Sequence, residues 1–198
     1  GFRHWDGEGE VAASCAKCHS GNGLAFFLEV GANKAEHVSS GFLCSNCHTD
    51  ADGPELREAA SVTFPSGATV DSGDAGTNLC MQCHQGRTSS KSMKDALAEL
   101  ELDTVSESLG FQNIHYFAAG ATRYGAEAMG GYQYEGKHYD GLFAHPAPFN
   151  NCSDCHGTHT LELKLGACAG CHSEATDLEG AKAIRMAGSE HDYDGDGD

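Results

Sequence analysis

The chain has 198 residues, with 29 Asp and Glu against 12 Lys and Arg and a formal net charge of −17. That charge argues against nucleic acid or an anionic membrane surface as a partner, and its plain reading is solubility rather than steering of a cationic partner. Hydrophobic residues at 39% with 26 Gly and a mean hydropathy of −0.41 supply too little aliphatic material for a conventional core of this size.

Taken in order, the chain opens Gly1-Phe2-Arg3-His4-Trp5 with no apolar leader, so an export signal is expected to have been removed. The first Cys pair is Cys15-Ala-Lys-Cys18-His19, followed by the longest apolar run, Leu24 to Leu28, which is too short to span a bilayer. Cys44-Ser-Asn-Cys47-His48 comes next, then Val62 to Val70, a hairpin around Pro65-Ser66-Gly67. Cys80-Met-Gln-Cys83-His84 closes the first cluster. In the segment 85–145, Met93, Ala96, Leu97 and Leu100 repeat at helical spacing after Ser89 and Ser90 as caps. Thr104-x-x-Glu107 has the form of a capping box, with Gly110 as a stop. Tyr132 to Tyr139 reads as a second hairpin. Cys152-Ser-Asp-Cys155-His156 and Cys168-Ala-Gly-Cys171-His172 form the second cluster, with Leu161, Leu163 and Leu165 alternating as a strand between them. Thr176-x-x-Glu179 opens a last helix that ends near Gly188. No linker-like composition divides the chain, so residues 1–198 are expected to form one domain.

All ten Cys fall in five C-x-x-C-H motifs. A disulfide framework needs no His after every second Cys. Zinc sites use a separated second pair of ligands, and a thioredoxin-like motif occurs once in a βαβ setting. Five motifs with no Cys left over are the attachment signature of five c-type haems. In each, two thiols form thioethers to the vinyl groups and the adjacent His takes one axial position on iron. The proximal ligands are then His19, His48, His84, His156 and His172, and Cys15, Cys18, Cys44, Cys47, Cys80, Cys83, Cys152, Cys155, Cys168 and Cys171 are the anchors. With about 40 residues per motif, the porphyrins themselves would supply much of the apolar interior. The expected fold is a multihaem cytochrome c: mostly coil, with a few short helices and small hairpins wrapped around a chain of stacked haems.

Twelve His less the five of the motifs leave seven for the distal positions, with Met81, Met93, Met129 and Met186 as rivals. Bis-His ligation closes the iron to substrate and suits outer-sphere electron transfer. His115, His145 and His159 are the leading distal candidates, with His4 and His37 after them, while His138 and His191 read as surface histidines. His159, three residues past His156, more naturally serves a neighbouring haem than its own. Eleven residues separate His156 from Cys168, so the last two haems are expected side by side.

Phe2-x-His4-Trp5, the hairpin at Val62 to Ala68, Cys83-His84-Gln85-Gly86-Arg87, Asn113-Ile114-His115-Tyr116-Phe117 and Cys155-His156-Gly157-Thr158-His159 accompany the motifs. Together they resemble exported multihaem c-type cytochromes of metal-reducing and related anaerobic prokaryotes, including filament-forming extracellular ones. The resemblance implies electron transfer outside the cell, to other redox proteins or extracellular acceptors. It permits self-association into a filament in which a His of one subunit ligates a haem of the next. A monomeric periplasmic shuttle and a reductase with one open haem site are the alternatives. At the C-terminus, Asp192, Asp194 and Asp196 with Gly197 match the first half of an EF-hand loop, so calcium is a second expected ligand, against a solvated acidic tail.

Overall fold

The computed structural model describes residues 6–7, 9–101, 103–142 and 144–185. They gather into two compact units, the first running to Ala144 and the second from His145. The fold is mostly coil, with short helices and two-residue strands.

In the first unit, strands β1 (Asp6–Gly7), β2 (Glu10–Val11) and β3 (Glu36–His37) form a small antiparallel sheet in that order. Helix α1 (Ala13–His19) carries the first Cys pair, and α2 (Gly23–Val30) holds the Leu24 to Leu28 run. The turn between them is tight because Gly23 lies against α1. A Cβ there would come within 2.0 Å of the Ala16 carbonyl oxygen. A 3-10 turn at Cys44–Asn46 carries the second pair.

The expected hairpin is present as β4 (Val62–Thr63) and β5 (Thr69–Val70), antiparallel with Thr63 opposite Thr69. Gly67 takes φ +89° at its tip, a conformation that favours glycine. Helix α3 (Ala75–His84) carries the third pair and is capped by the Asp74 carboxylate, which accepts from the Thr77 amide at 2.7 Å. Helix α4 (Ser90–Leu97) begins at the anticipated Ser89 cap and ends three residues before Leu100. Helix α5 (Ala119–Ala128) follows.

Two small apolar clusters support this unit. Val62, Phe64, Met81, Ala118, Ala121, Tyr124 and Ala128 seat the hairpin and α5 against α3. Leu24, Ala59 and Leu79 join α2 to the opposite side of α3. Met81 is 1% exposed in the first cluster, so the residue inside the third motif is a packing residue.

The second unit contains α6 (Cys152–Cys155), α7 (Leu165–Cys168) and α8 (Leu178–Lys182). The fourth motif lies on α6, and the fifth straddles the end of α7.

Several expected elements differ. The segment after Thr104 makes only a turn near Glu107, because Val105 is 96% exposed and has no surface to bury against. A helix that short is marginal without tertiary packing. Residues 132–139 form a turn at Glu135–Gly136 and no ladder. The backbone donors that would build one go elsewhere, Gln133 to the Ser90 hydroxyl and Tyr134 to the Tyr139 hydroxyl. The Leu161–Leu165 strand reduces to a single bridge of Leu163 with His156, since Leu161 turns at φ 60° and Leu165 starts α7. The last helix starts one residue later than expected, with the Asp177 carboxylate accepting from the Gly180 amide, and ends at Lys182, short of the expected stop near Gly188. Gly188 lies outside the described residues.

Candidate haem-binding motifs

The three motifs of the first unit are tied together by short polar contacts. Helices α1 and α3 meet at their Cys pairs: the Cys18 thiol reaches the Gln82 carbonyl and the Cys83 thiol reaches the Lys17 carbonyl, each at 4.0 Å. A hydrogen bond from Cys83 lowers the Cys18 thiol to about 7, helped by the charges of Lys17 and Arg87 and opposed by burial. The same contact and burial push Cys83 up. Lys17 itself is buried over the Phe27 ring, 4.5 Å from its centre, and burial lowers its pKa.

The second motif is joined to the turn and helix that follow the first through Asn46, a side chain 1% exposed. Its amide donates to the Gly21 carbonyl at 2.7 Å, and its oxygen accepts from the Ala25 amide at 3.2 Å. Asn46 therefore satisfies one of the orphan donors in the first turn of α2. Arg57 returns to the same motif, donating from its amide to the Cys47 carbonyl and from its guanidinium to the Ser45 carbonyl.

In the second unit Lys164 connects the two motifs. Its amide donates to the Cys155 carbonyl at 2.7 Å and its ammonium to the Ser153 carbonyl at 2.7 Å, while its own carbonyl accepts from the Cys168 thiol.

The histidines show a common arrangement. His84 Nδ1 lies 2.6 Å from the Phe117 carbonyl, His156 Nδ1 lies 3.3 Å from the Leu161 carbonyl and His145 Nδ1 lies 3.1 Å from the Pro146 carbonyl. A carbonyl only accepts, so Nδ1 must carry the proton and Nε2 keeps the lone pair. That is the tautomer a metal-binding imidazole needs. His172 Nδ1 sits 3.7 Å from the Glu174 carboxylate, which favours the same tautomer. His19 has its pKa lowered by burial first and then by the nearby His115 and Arg87, which favours its neutral form.

Two pairs of imidazoles come close together, with ring planes at 81° and 60° to one another. His19 and His115 have ring centres 5.9 Å apart, and His145 and His172 have theirs 6.2 Å apart. Two imidazoles on opposite sides of one metal, each nitrogen about 2 Å from it, have centres roughly 6 Å apart. The residues present therefore fit a haem iron with two His ligands. The first pair lines a cavity of about 410 Å³ together with Cys15, Cys18 and Arg87, so both anchors of the motif and both imidazoles open onto one space.

The other distal candidates are scattered. His37 is exposed on β3, and His159 is exposed in the loop after α6. His138 stands 3.4 Å from Asp140 at the surface. His4, His191 and the acidic run Asp192, Asp194 and Asp196 lie outside the described residues. Among those described, no group of three or more His, Cys, Asp and Glu forms a metal cage, and no helix is long and apolar enough to cross a membrane. Sequence reasoning did not find Asn46, Lys164 or the carbonyls of Phe117 and Leu161. The last two act through backbone atoms, which leave no mark in residue type.

No family model matches the chain and no solved structure matches it. The polyheme c-type cytochrome OmcB of Geobacter sulfurreducens is 30% identical over 206 aligned positions, which cover 86% of this chain and 26% of that protein. OmcC of the same species is 29% identical over 212 positions, covering 87% of this chain and 25% of its own length. The chain thus spans about a quarter of the length of the relatives it matches. Five C-x-x-C-H motifs, and a similarity that runs over most of the chain, support a multihaem c-type cytochrome similar to the polyheme cytochromes OmcB and OmcC.

Proposed function

We propose that the chain transfers electrons through five c-type haems, one on each C-x-x-C-H motif, with bis-His ligation at most or all of them. The observation that carries this reading is the two close imidazole couples, His19 with His115 and His172 with His145, each with ring centres at a separation compatible with one iron. When bound, the haem supplies a one-electron iron couple. The chain's own residues do the rest. Ten Cys anchor the rings, and five motif His supply the proximal nitrogens. His115 and His145 close the sixth positions of the first and fifth motifs. His4, His37 and His159 remain for the others. An iron with both axial positions filled by protein admits no substrate and changes little on reduction, so the reading is an electron carrier rather than an enzyme.

The site of action is extracellular, with redox proteins or extracellular acceptors as partners. The subunits assemble head to tail into a filament, in which His4 completes a haem of the next subunit and the contact does not close on itself. Asp192, Asp194 and Asp196 bind calcium.

Intact mass tests the core of this reading: the 20.8 kDa polypeptide gains five haems, and a gain of four or fewer refutes it. Optical and paramagnetic-resonance spectra should show low-spin iron throughout, whereas a stoichiometric high-spin signal would point to the reductase. Electron microscopy of His4→Ala should show dispersed subunits with one high-spin haem, and filaments with every iron low-spin would refute the bridging role.

A further inference from the structure

Among the described residues, five that are not glycine have positive φ: Asp103, His115, Phe117, Met129 and Leu161. Asp tolerates that conformation, and Met129 is the C-cap of α5, where a left-handed residue is the ordinary way to end a helix. The remaining three are the imidazole beside His19, His115, and the two residues whose carbonyls accept from His84 and His156.

Phe117 has φ 52° and Leu161 has φ 60°. Neither is a residue type that favours this region, so each holds it against its own steric preference. Packing of the side chain does not explain the choice, since Phe117 is 84% exposed and Leu161 is 62% exposed. What the left-handed turn accomplishes is backbone placement. It directs one carbonyl at a motif histidine 33 residues earlier in one unit and 5 residues earlier in the other. Two unrelated stretches of chain, in separate compact units, use the same device.

We propose that Phe117 and Leu161 are positioning residues for the third and fourth haem irons. Their left-handed backbones hold a carbonyl on the Nδ1–H of His84 and of His156, fixing the tautomer and ring orientation that leave Nε2 for the metal. This rests on the haem reading above. A hydrogen-bonded Nδ1–H makes the imidazole a stronger electron donor, which favours ferric iron and lowers the reduction potential. The bond at His84 is 2.6 Å and that at His156 is 3.3 Å, so the effect is larger at the third motif.

The test uses the full, haem-loaded chain. Phe117→Val and Leu161→Val each place a β-branched residue that strongly disfavours positive φ, while Phe117→Gly and Leu161→Gly keep that conformation without strain. Intact mass counts haems, and spectroelectrochemical titration resolves the midpoint potentials. Each Val variant should keep five haems and move one midpoint component to more positive potential, further for Phe117→Val than for Leu161→Val. Each Gly variant should titrate like the unsubstituted chain. Val variants with unchanged potentials, or Gly and Val variants that shift alike, overturn the proposal. A haem count below five in the unsubstituted chain instead overturns the parent reading. The two sites lie in different units, so failure of one variant to accumulate leaves the other as the test.

Discussion

Replacing Asn46 by Ala removes the side chain that ties the second motif to the turn and helix following the first. Asn46 makes two hydrogen bonds, to the Gly21 carbonyl and from the Ala25 amide, in a site only 1% exposed. Each bond contributes about 1 kcal/mol net, and a buried donor left without a partner costs a further 1–3 kcal/mol or so. The Gly21 carbonyl keeps a second partner, the Leu43 amide at 2.8 Å, so only the Ala25 amide is stranded. The expected loss is therefore about 3–5 kcal/mol. Urea unfolding of the haem-loaded protein, followed by circular dichroism in the haem absorption band, should show the midpoint falling accordingly. Asn46→Asp adds a check on the sign. A carboxylate accepts from Ala25 but sets its charge against the Gly21 carbonyl, whereas the protonated acid can donate there. The folded state thus raises this carboxyl's pKa, so its stability is greatest below the unfolded-state value and is lost as pH rises from there through the raised folded-state value. Relative to the unsubstituted chain, Asn46→Asp should be more destabilised near pH 7 than near pH 4. An Asn46→Ala variant within about 0.5 kcal/mol of the unsubstituted chain would refute the buried-bridge reasoning.

His115→Ala should retain five covalent haems and show one of them high-spin, because the partner of His19 is gone; unchanged low-spin spectra would assign the sixth ligand elsewhere. His145→Ala should do the same at the fifth motif, and the double variant should show two high-spin haems. Gly23→Ala puts a methyl 2.0 Å from the Ala16 carbonyl and 2.5 Å from the Ser20 hydroxyl oxygen, so α2 must shift from α1 at a cost of at least about 1–3 kcal/mol in urea unfolding. Phe64→Ala empties the centre of the larger apolar cluster, where Phe64 is 2% exposed, and should cost about 3–5 kcal/mol by the same measurement.

Much of the chemistry was legible because it is written in residue types at short fixed spacing. Two Cys and a His within five residues need only one local turn to come together, so α1, α3 and α6 and the turns at Cys44 and Cys168 could be anticipated as anchors. Local signals of the same kind placed the hairpin at Val62 to Val70, through its Pro-Ser-Gly turn, and α4, through its Ser cap. They failed where the outcome depended on what the segment packs against. A capping box at Thr104 made no helix because Val105 meets no apolar surface, and the donors of 133–134 went to Ser90 and Tyr139 instead of a ladder. The number of spare histidines could be counted from the sequence, but their pairing could not. His19 and His115 are far apart along the chain, and only the packing of α1 beside the segment before α5 brings their rings to 5.9 Å. The carbonyls that orient His84 and His156 are more hidden still. Every residue has a carbonyl, and where it points is set by backbone torsions that tertiary structure imposes, here at φ 52° and 60° on residues that would not adopt them alone.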